Sequence, residues 1–429
     1  MSNAFIIRKG QRVYFDPPPE WQPLTFAKFD EHFSQKDVRE LTKKALNSPV
    51  HSKTVKDSLS TSDKIAIIVE DLTRASPKKL ILDTLLDELD AVGIPKESIY
   101  VIMALGTHRD LTREELISTF GRELLDRYEF INHDCHASDL VPVAKLKTGR
   151  AVKINRKVHD ATFRIGIGSI FPHPMNGFGG GGKILFPGVS DFDSIREHHL
   201  TFTFHEGTGL GKIEGNVFYE QVCAISRAAR LDYVINSILD PQDQVDDLVS
   251  GDPIHAHLAG IEKSKAIICR IFPKKSDLTI ITSFPYTEGP QIMKPLAPAS
   301  MVTKRGGCII LAADCEGNLP DAFVDSFERF HSRYGKNLLG GVLDHFESNR
   351  LIMEEGAIDF NMALGMTLAI QHRFEIVLVS KDIERETGEK MGFMYAQDLQ
   401  EAINLSKAIC PSNPEVHIIP SGGVILPVM

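Results

Sequence analysis

Short apolar runs alternate with amphipathic stretches along this chain. Lys64–Val69 (KIAIIV), Ser98–Leu105 (SIYVIMAL) and residues 128–133 are apolar runs of strand length. Runs like these, bounded by polar residues, predict strands buried on both faces. Between them, the stretch opened by Pro77 and ending near Val92 has helical spacing, as does Thr112–Phe120. Proline suits a first turn, and Thr112 with Glu115 makes a capping box. This strand–helix–strand order predicts a mostly parallel sheet. Phe163–Ile170 and Tyr233–Leu239 add strands, Val217–Leu231 adds a helix, and a helix near 253–265 bridges to a second unit. There the alternation starts afresh, with strands expected at 277–284, 308–313 and 375–380 and helices at 291–303, 320–333, 358–371 and 395–406. The first sixty residues, Pro-rich at 17–23, read as a covering segment ending in a helix near 36–46. The expectation is an α/β fold of two α/β domains, 1–268 and 269–429, with the last residues returning to the first domain.

Composition narrows the class without choosing within it. The chain has 429 residues, 42% hydrophobic and 24% charged, which suits a globular protein with a sizeable core. A net charge of −9 without a long basic run argues against nucleic acid as a partner. Cys135, Cys223, Cys269, Cys308, Cys315 and Cys410 form no CxxC pair and read as reduced thiols. No signal peptide and no apolar run of membrane-spanning length are expected, so the chain reads as cytoplasmic, with no membrane partner. A homo-oligomer is compatible with all of this.

The predicted strands end in polar clusters: EDLTR, GTHR and NHDCH. Ligands bind at the carboxyl ends of strands in open parallel sheets, so these clusters stand where a site forms. A fourth segment, HPMNGFGGGGK (His173–Lys183), follows the apolar run at 163–170. Its glycines fit both GxxxxGK and GxGxxG. Neither reading survives: Ile184 stands where a phosphate-binding loop needs Ser or Thr for Mg²⁺, and Pro187-Gly188 breaks the helix that both motifs require. What remains is physical. Gly179, Gly180, Gly181 and Gly182 let the backbone approach a ligand closely and leave the Lys183 amine accessible. The apolar flanks favour a packed binding loop over a flexible surface one.

Three histidines join this picture. His108 ends a strand, His173 opens the glycine segment, and His199 lies 16 residues past Lys183 near the end of the stretch DFDSIREHHL, read as a helix. A lone histidine is usually a core or surface residue; joint placement at strand ends and loop mouths argues for function. Two neutral imidazoles on opposite faces of a substrate suit inversion of a carbon centre, one taking a proton while the other gives one. Arg74 and Lys294 are candidate clamps for a carboxylate. A metal site from His133, Cys135, His136, His198 and His199 is the alternative, but the spacings match no zinc signature.

With VEDLTRASP (69–77), ALGTHR (104–109), HPMNGFGGGGK (173–183), a histidine 16 residues later and GPQIMK (289–294), the chain resembles the nickel-pincer lactate racemase family from about residue 10 to 425. The resemblance implies two α/β domains with the site in the cleft between them. It implies a nickel-pincer nucleotide, the nickel complex of pyridinium-3,5-bisthiocarboxylic acid mononucleotide, supplied by separate cofactor-biosynthesis enzymes. Lys183 matches its covalent tether and His199 its nickel ligand. His108 and His173 match the acid/base pair; Asp71, Thr73 and Arg74 match cofactor and substrate contacts. Gln291 and Lys294 match residues of the second domain that close over the site. The implied activity is racemisation or epimerisation of a small 2-hydroxy acid by proton-coupled hydride transfer, which avoids abstracting a very weakly acidic α-hydrogen as a proton.

Two features depart from the family pattern. Pro290 stands where a tyrosine precedes the glutamine, and the sole tryptophan, Trp21, is expected to leave the second domain without one. Both point to a substrate other than lactate, such as a larger sugar acid. The competing readings are an oxidoreductase or lyase using the same histidine pair, and a non-catalytic hydroxy-acid-binding protein.

Overall fold

The computed structural model describes residues 4–29, 36–72, 76–354 and 356–429. The chain divides into two compact units, one of His32–Ile267 and one of Met1–Glu31 with Ile268–Met429. In the first unit the strands are β1 (Ile65–Glu70), β2 (Ile99–Ala104), β3 (Glu129–Asn132), β4 (Phe163–Ile170), β5 (Tyr233–Leu239) and β6 (Val245–Gly251). They form one sheet in the order β6-β5-β4-β1-β2-β3. Every neighbouring pair is parallel except β5 with β6. The run Ile65–Val69 has no exposed surface, as a strand covered on both faces requires. Leu82, Leu85 and Leu89 of the helix Lys78–Val92 pack with Ile65, Ile67 and Val69 on one of those faces. That helix stops at Gly93, which takes φ +85° and donates to the carbonyls of Asp90 and Leu89.

The strand order fixes where a ligand belongs. From β1 the chain moves outward to β2 and β3, then returns to build β4, β5 and β6 on the opposite side of β1. The order therefore reverses between β1 and β4, whose neighbouring carboxyl ends open a crevice. Glu70 of β1 stands opposite Ala104 of β2, so the segments that follow, Asp71 onward and Leu105 onward, leave the sheet together.

The second unit repeats the architecture. Its six-stranded sheet runs Met394–Ala396, Glu375–Val379, Thr303–Ala312, Ser276–Thr282, Glu415–Ile419 and Gln22–Phe26, parallel throughout. Here the expectations need correction. The first residues do not cover the first unit; Gln22–Phe26 completes the second unit's sheet by pairing with Glu415–Ile419. The last residues do not return to the first unit either, since Leu426–Val428 pairs with Cys269–Ile271. Trp21 thereby enters the second unit, in the core with Leu278, Ile280 and Val416. The helix expected at 291–303 is a 3-10 turn, Gly289–Met293, followed by a helix at Leu296–Val302. That expected at 395–406 is the strand Met394–Ala396 and the helix Leu399–Ser406.

Candidate active site

Asp71 is the first residue beyond β1, and His108 lies in the turn beyond β2. The His108 imidazole Nδ1 is hydrogen-bonded to the Asp71 carboxylate. Asp71 is buried, while the His108 side chain keeps about a quarter of its surface exposed. A carboxylate accepts, so Nδ1 carries the proton and the lone pair resides on Nε2. The His108 turn is fixed from below: its own N–H donates to Leu105 O at 2.8 Å, and Gly106 donates to Gly188 O at 2.9 Å. Pro187-Gly188, the pair that breaks a helix after the glycine run, is thus the seat of the His108 turn.

Glu70, which the sequence reading passed over, ties the two sides of the crevice together. Its carboxylate accepts from the Ser169 amide at 3.0 Å and from the Ser169 and Ser76 hydroxyls. Ser169 belongs to β4, so this bond spans the point where strand order reverses. A carboxylate directly after the apolar run Lys64–Val69 was the available signal.

His173 is held differently from His108. It sits in a tight hairpin in which Pro172–His173 pairs with Gly177–Phe178. Its Nδ1 accepts two backbone N–H groups, from Met175 at 3.3 Å and Asn176 at 3.1 Å. The hairpin is braced by buried amides: Asn176 Nδ2 donates to Phe178 O at 2.7 Å, and Asn216 Nδ2 to Met175 O at 2.8 Å and Lys212 O at 2.9 Å. Gly177 has φ +77°, and a Cβ there would stand 2.1 Å from Lys212 O, so no other residue fits.

The glycine run meets protein as closely as it could meet a ligand. Gly179 donates to Phe171 O at 2.8 Å and Gly181 to Asn236 Oδ1 at 3.0 Å. The Gly179 carbonyl accepts from Nε2 of His257 at 2.7 Å, and the Tyr219 hydroxyl lies 3.4 Å from Nδ1 of the same ring. His257 is buried, and burial, with the nearby Lys183 ammonium, pushes its pKa down to about 4. It is a neutral prop, and no motif announced it. Lys183 follows in a 3-10 turn, Gly181–Ile184, and is half-buried. Its charge is also felt at His198, whose basicity is lowered first by burial and then by His199.

His199 lies on the helix Phe192–Phe202, capped by Asp191 through the Ser194 amide. Its Nδ1 donates to Ile195 O at 2.9 Å, which leaves the lone pair on Nε2. The Phe218 ring stands edge-on at 4.9 Å. The alternative metal cluster does not form: His133 Nε2 donates to Ser190 O, and no group of three metal-binding side chains gathers among the described residues.

Asp71, His108, His173, Gly179–Gly182, Lys183 and His199 therefore all belong to the unit His32–Ile267. Gln291 and Lys294 belong to the other unit, in and just after the turn Gly289–Met293, which follows its strand Ser276–Thr282. Gln291 Oε1 is buried without a hydrogen-bond partner, and Lys294 Nζ lies 4.9 Å from the centre of the Tyr286 ring. Thr73 and Arg74 lie outside the described residues. No described helix is long and apolar enough to cross a membrane.

Comparison with known proteins points one way. Residues 14–211 match the family described as "Lactate racemase N-terminal domain", and 272–426 match "Lactate racemase C-terminal domain". The chain is 25% identical to the lactate racemase of Thermoanaerobacterium thermosaccharolyticum over 98% of both chains. It is 27% identical to that of Lactiplantibacillus plantarum over 96% of this chain and 100% of the other. Its fold is similar to the lactate racemase apoprotein structure from T. thermosaccharolyticum, with a TM-score of 0.87, 24% identity and full coverage of both chains. It is also similar to a Thermotoga maritima protein structure, with a TM-score of 0.66 and 17% identity over 92% of this chain and all of that one.

Proposed function

Because the chain belongs to the lactate racemase family and is an isomerase, we propose that it inverts the C2 centre of a 2-hydroxy acid, with Asp71, His108, His173, Lys183 and His199 as its working residues. The observation that carries this reading is the Asp71–His108 pair at the crevice beside β1 and β4. The buried carboxylate holds the Nδ1 proton and stabilises the imidazolium, so Nε2 of His108 is fitted to take the proton of a substrate hydroxyl. Arg74 and Lys294 anchor the carboxylate in this reading, and Gln291 contributes to binding.

The residues present also suit a nickel-pincer nucleotide. The Nδ1–H of His199 engages Ile195 O, so its lone pair lies on Nε2, the tautomer in which imidazole ligands of metals are commonly held. Lys183 presents the amine for covalent attachment, at the end of a glycine run with little conformational freedom. When bound, such a nucleotide supplies a hydride acceptor and donor for C2. The protein's part is to orient the substrate, to hold its hydroxyl proton and to keep the lysine in place. Cofactor-biosynthesis enzymes would be its suppliers. Pro290 in place of the family's tyrosine supports a substrate larger than lactate, and the sole tryptophan, Trp21, packs in a core.

The test is a panel of chiral 2-hydroxy acids, lactate and sugar acids among them, each deuterated at C2. Cofactor-loaded protein is expected to invert at least one of them and to retain the deuterium at C2. A peptide containing Lys183 should gain the mass of the nucleotide. Full activity in Lys183→Ala protein, or washout of deuterium to solvent, would sink the reading.

A further inference from the structure

The first hairpin of the chain ends against two carboxylates of the second unit. Ala4–Arg8 pairs antiparallel with Gln11–Phe15, and Lys9 and Gly10 close the turn with φ +47° and +74°. Two left-handed residues make the tight turn that matches the twist of the strands they join. Ala4 and Ile6 are buried in the core with Leu278, Ile310 and Val379, which sets how far the tip reaches. At that tip Arg8 Nε donates to Asp314 Oδ1 at 2.7 Å and Arg8 Nη2 to Ala313 O at 3.1 Å. The Lys9 amide donates to the other Asp314 oxygen at 2.6 Å, and Lys9 Nζ to Asp382 at 2.9 Å. Asp314 and Asp382 stand just beyond the carboxyl ends of the neighbouring strands Thr303–Ala312 and Glu375–Val379. The Arg8 and Asp314 side chains are 17% and 3% exposed, so this pair is not one of the solvated pairs that contribute little.

Asp314 in turn holds the segment that leads to Gln291 and Lys294. Its own amide donates to Ser283 Oγ at 3.1 Å, and the Ser283 amide donates to Ala312 O at 2.9 Å. Two residues on, the Glu316 amide donates to Thr287 O at 2.6 Å. From the other side, the Gly423 amide donates to Phe284 O at 2.9 Å. The Thr282 hydroxyl donates to Pro420 O at 2.7 Å, and Ile7 of the hairpin donates to the same carbonyl at 3.3 Å. Ser283–Thr287 is thus held between Asp314–Glu316 and Pro420–Gly423, and the hairpin touches both. The turn Gly289–Met293 follows directly: the Gln291 amide donates to Glu288 O at 3.2 Å and the Lys294 amide to Gln291 O at 3.0 Å.

We infer that Arg8 is a positioning residue of the reaction: through Asp314 it fixes the segment from Ser283 onward, and with it Gln291 and Lys294. This rests on the proposed function, in which Lys294 anchors the substrate carboxylate. Without the guanidinium, a buried Asp314 carboxylate keeps the Lys9 amide but loses its countercharge. A buried charge that loses its partner is strongly disfavoured, so Asp314 turns away and the backbone it carries shifts with it. The strands behind keep their own ladder, Leu278 to Thr282 against Cys308 to Ala312, so the change stays in the loops. A displaced anchor weakens ground state and transition state alike, and such a loss is read in KM and not in kcat.

The first measurement needs no cofactor. Hydrogen exchange of the full chain is followed by mass spectrometry in wild type and Arg8→Gln. Peptides covering 283–294 are expected to exchange about tenfold faster in the variant, the effect of one net hydrogen bond, and peptides covering 276–282 at the wild-type rate. Equal acceleration in both segments, or in neither, overturns the inference. The second measurement uses loaded enzyme and the 2-hydroxy acid that the panel identifies. Arg8→Gln is expected to raise KM about tenfold, the low end of losing a hydrogen bond to a charged group, with kcat within about twofold of wild type. Arg8→Lys keeps the charge without the two-pronged fit, and its KM is expected to rise only about threefold. A merely structural Arg8 would lower the folded fraction, and so kcat, without moving KM. An unchanged KM in Arg8→Gln beside a raised KM in Lys294→Ala overturns the inference and leaves the anchor standing. An unchanged KM in Lys294→Ala removes the anchor itself, and the inference with it. Should Arg8→Gln fail to fold, Asp314→Asn, which keeps the backbone bond to Ser283, is read by the same two measurements with the same expected outcomes.

Discussion

Gly181 illustrates how little room the glycine run has. It takes φ +56°, and an added Cβ would stand 2.6 Å from the His257 ring. The residue must be glycine on both counts, backbone and packing. Gly181→Ala is expected to destabilise the protein by about 2–3 kcal/mol, combining overpacking with an unfavourable backbone. Urea unfolding of the full chain would measure it. Gly10, with φ +74° and nothing within 4 Å of its Cβ position, offers a control in which only the backbone cost remains. The sequence made Lys183 and its glycines conspicuous, but not the reason for them. His257, Asn236 and Tyr219 are isolated in sequence and join the loop only through folding. The same holds for the different settings of His108 and His173, which depend on Asp71 in one case and on local backbone N–H groups in the other.

Elements with local signals matched the expectation closely. Thr112 caps the helix Arg113–Phe120, its hydroxyl accepting from the Glu115 amide while Glu115 accepts from the Thr112 amide. Thr112→Ala is expected to cost about 1 kcal/mol. Its effect on kcat should be small, since the His108 turn rests on Leu105 and Gly188 instead; a melt paired with a turnover assay checks both. The buried strands at 65–70, 99–104 and 163–170 were legible because both faces are covered and the run is continuously apolar. The hairpin Val141–Lys145 with Ala151–Ile154 and the antiparallel edge strand Val245–Gly251 went unread. Their residues are mixed, as half-covered strands are, and their partners supply what their own pattern lacks. At 395–406, the strand residues Tyr395 and Ala396 were absorbed into the helix because Asp398, the cap, sits between two apolar stretches.

At the scale of the whole molecule, buried neutral histidines set a pH limit. Burial lowers the basicity of His133 and His257 in one unit and of His345 and His417 in the other. In the unfolded chain these groups bind protons near pH 6.5, so between that value and the lower folded values the unfolded state holds more protons. Stability is therefore full above about pH 6.5 and falls with acidification. His257, at about 4, alone accounts for about 2 kcal/mol between pH 7 and pH 5. Melting temperatures measured across that window should fall, and His257→Gln should flatten the slope. The sequence foresaw two α/β units but misplaced the strand Gln22–Phe26, because it is exposed or half-covered along its length and nothing in QPLTF names its partner. That strand adds to Glu415–Ile419, roughly 390 residues away. A ribosome adding about 5–20 residues per second leaves Gln22–Phe26 without this neighbour for about 20–80 seconds. The sheet of that unit cannot close over Gln22–Phe26 until Glu415–Ile419 has emerged, so a strand made early waits for one made about 390 residues later.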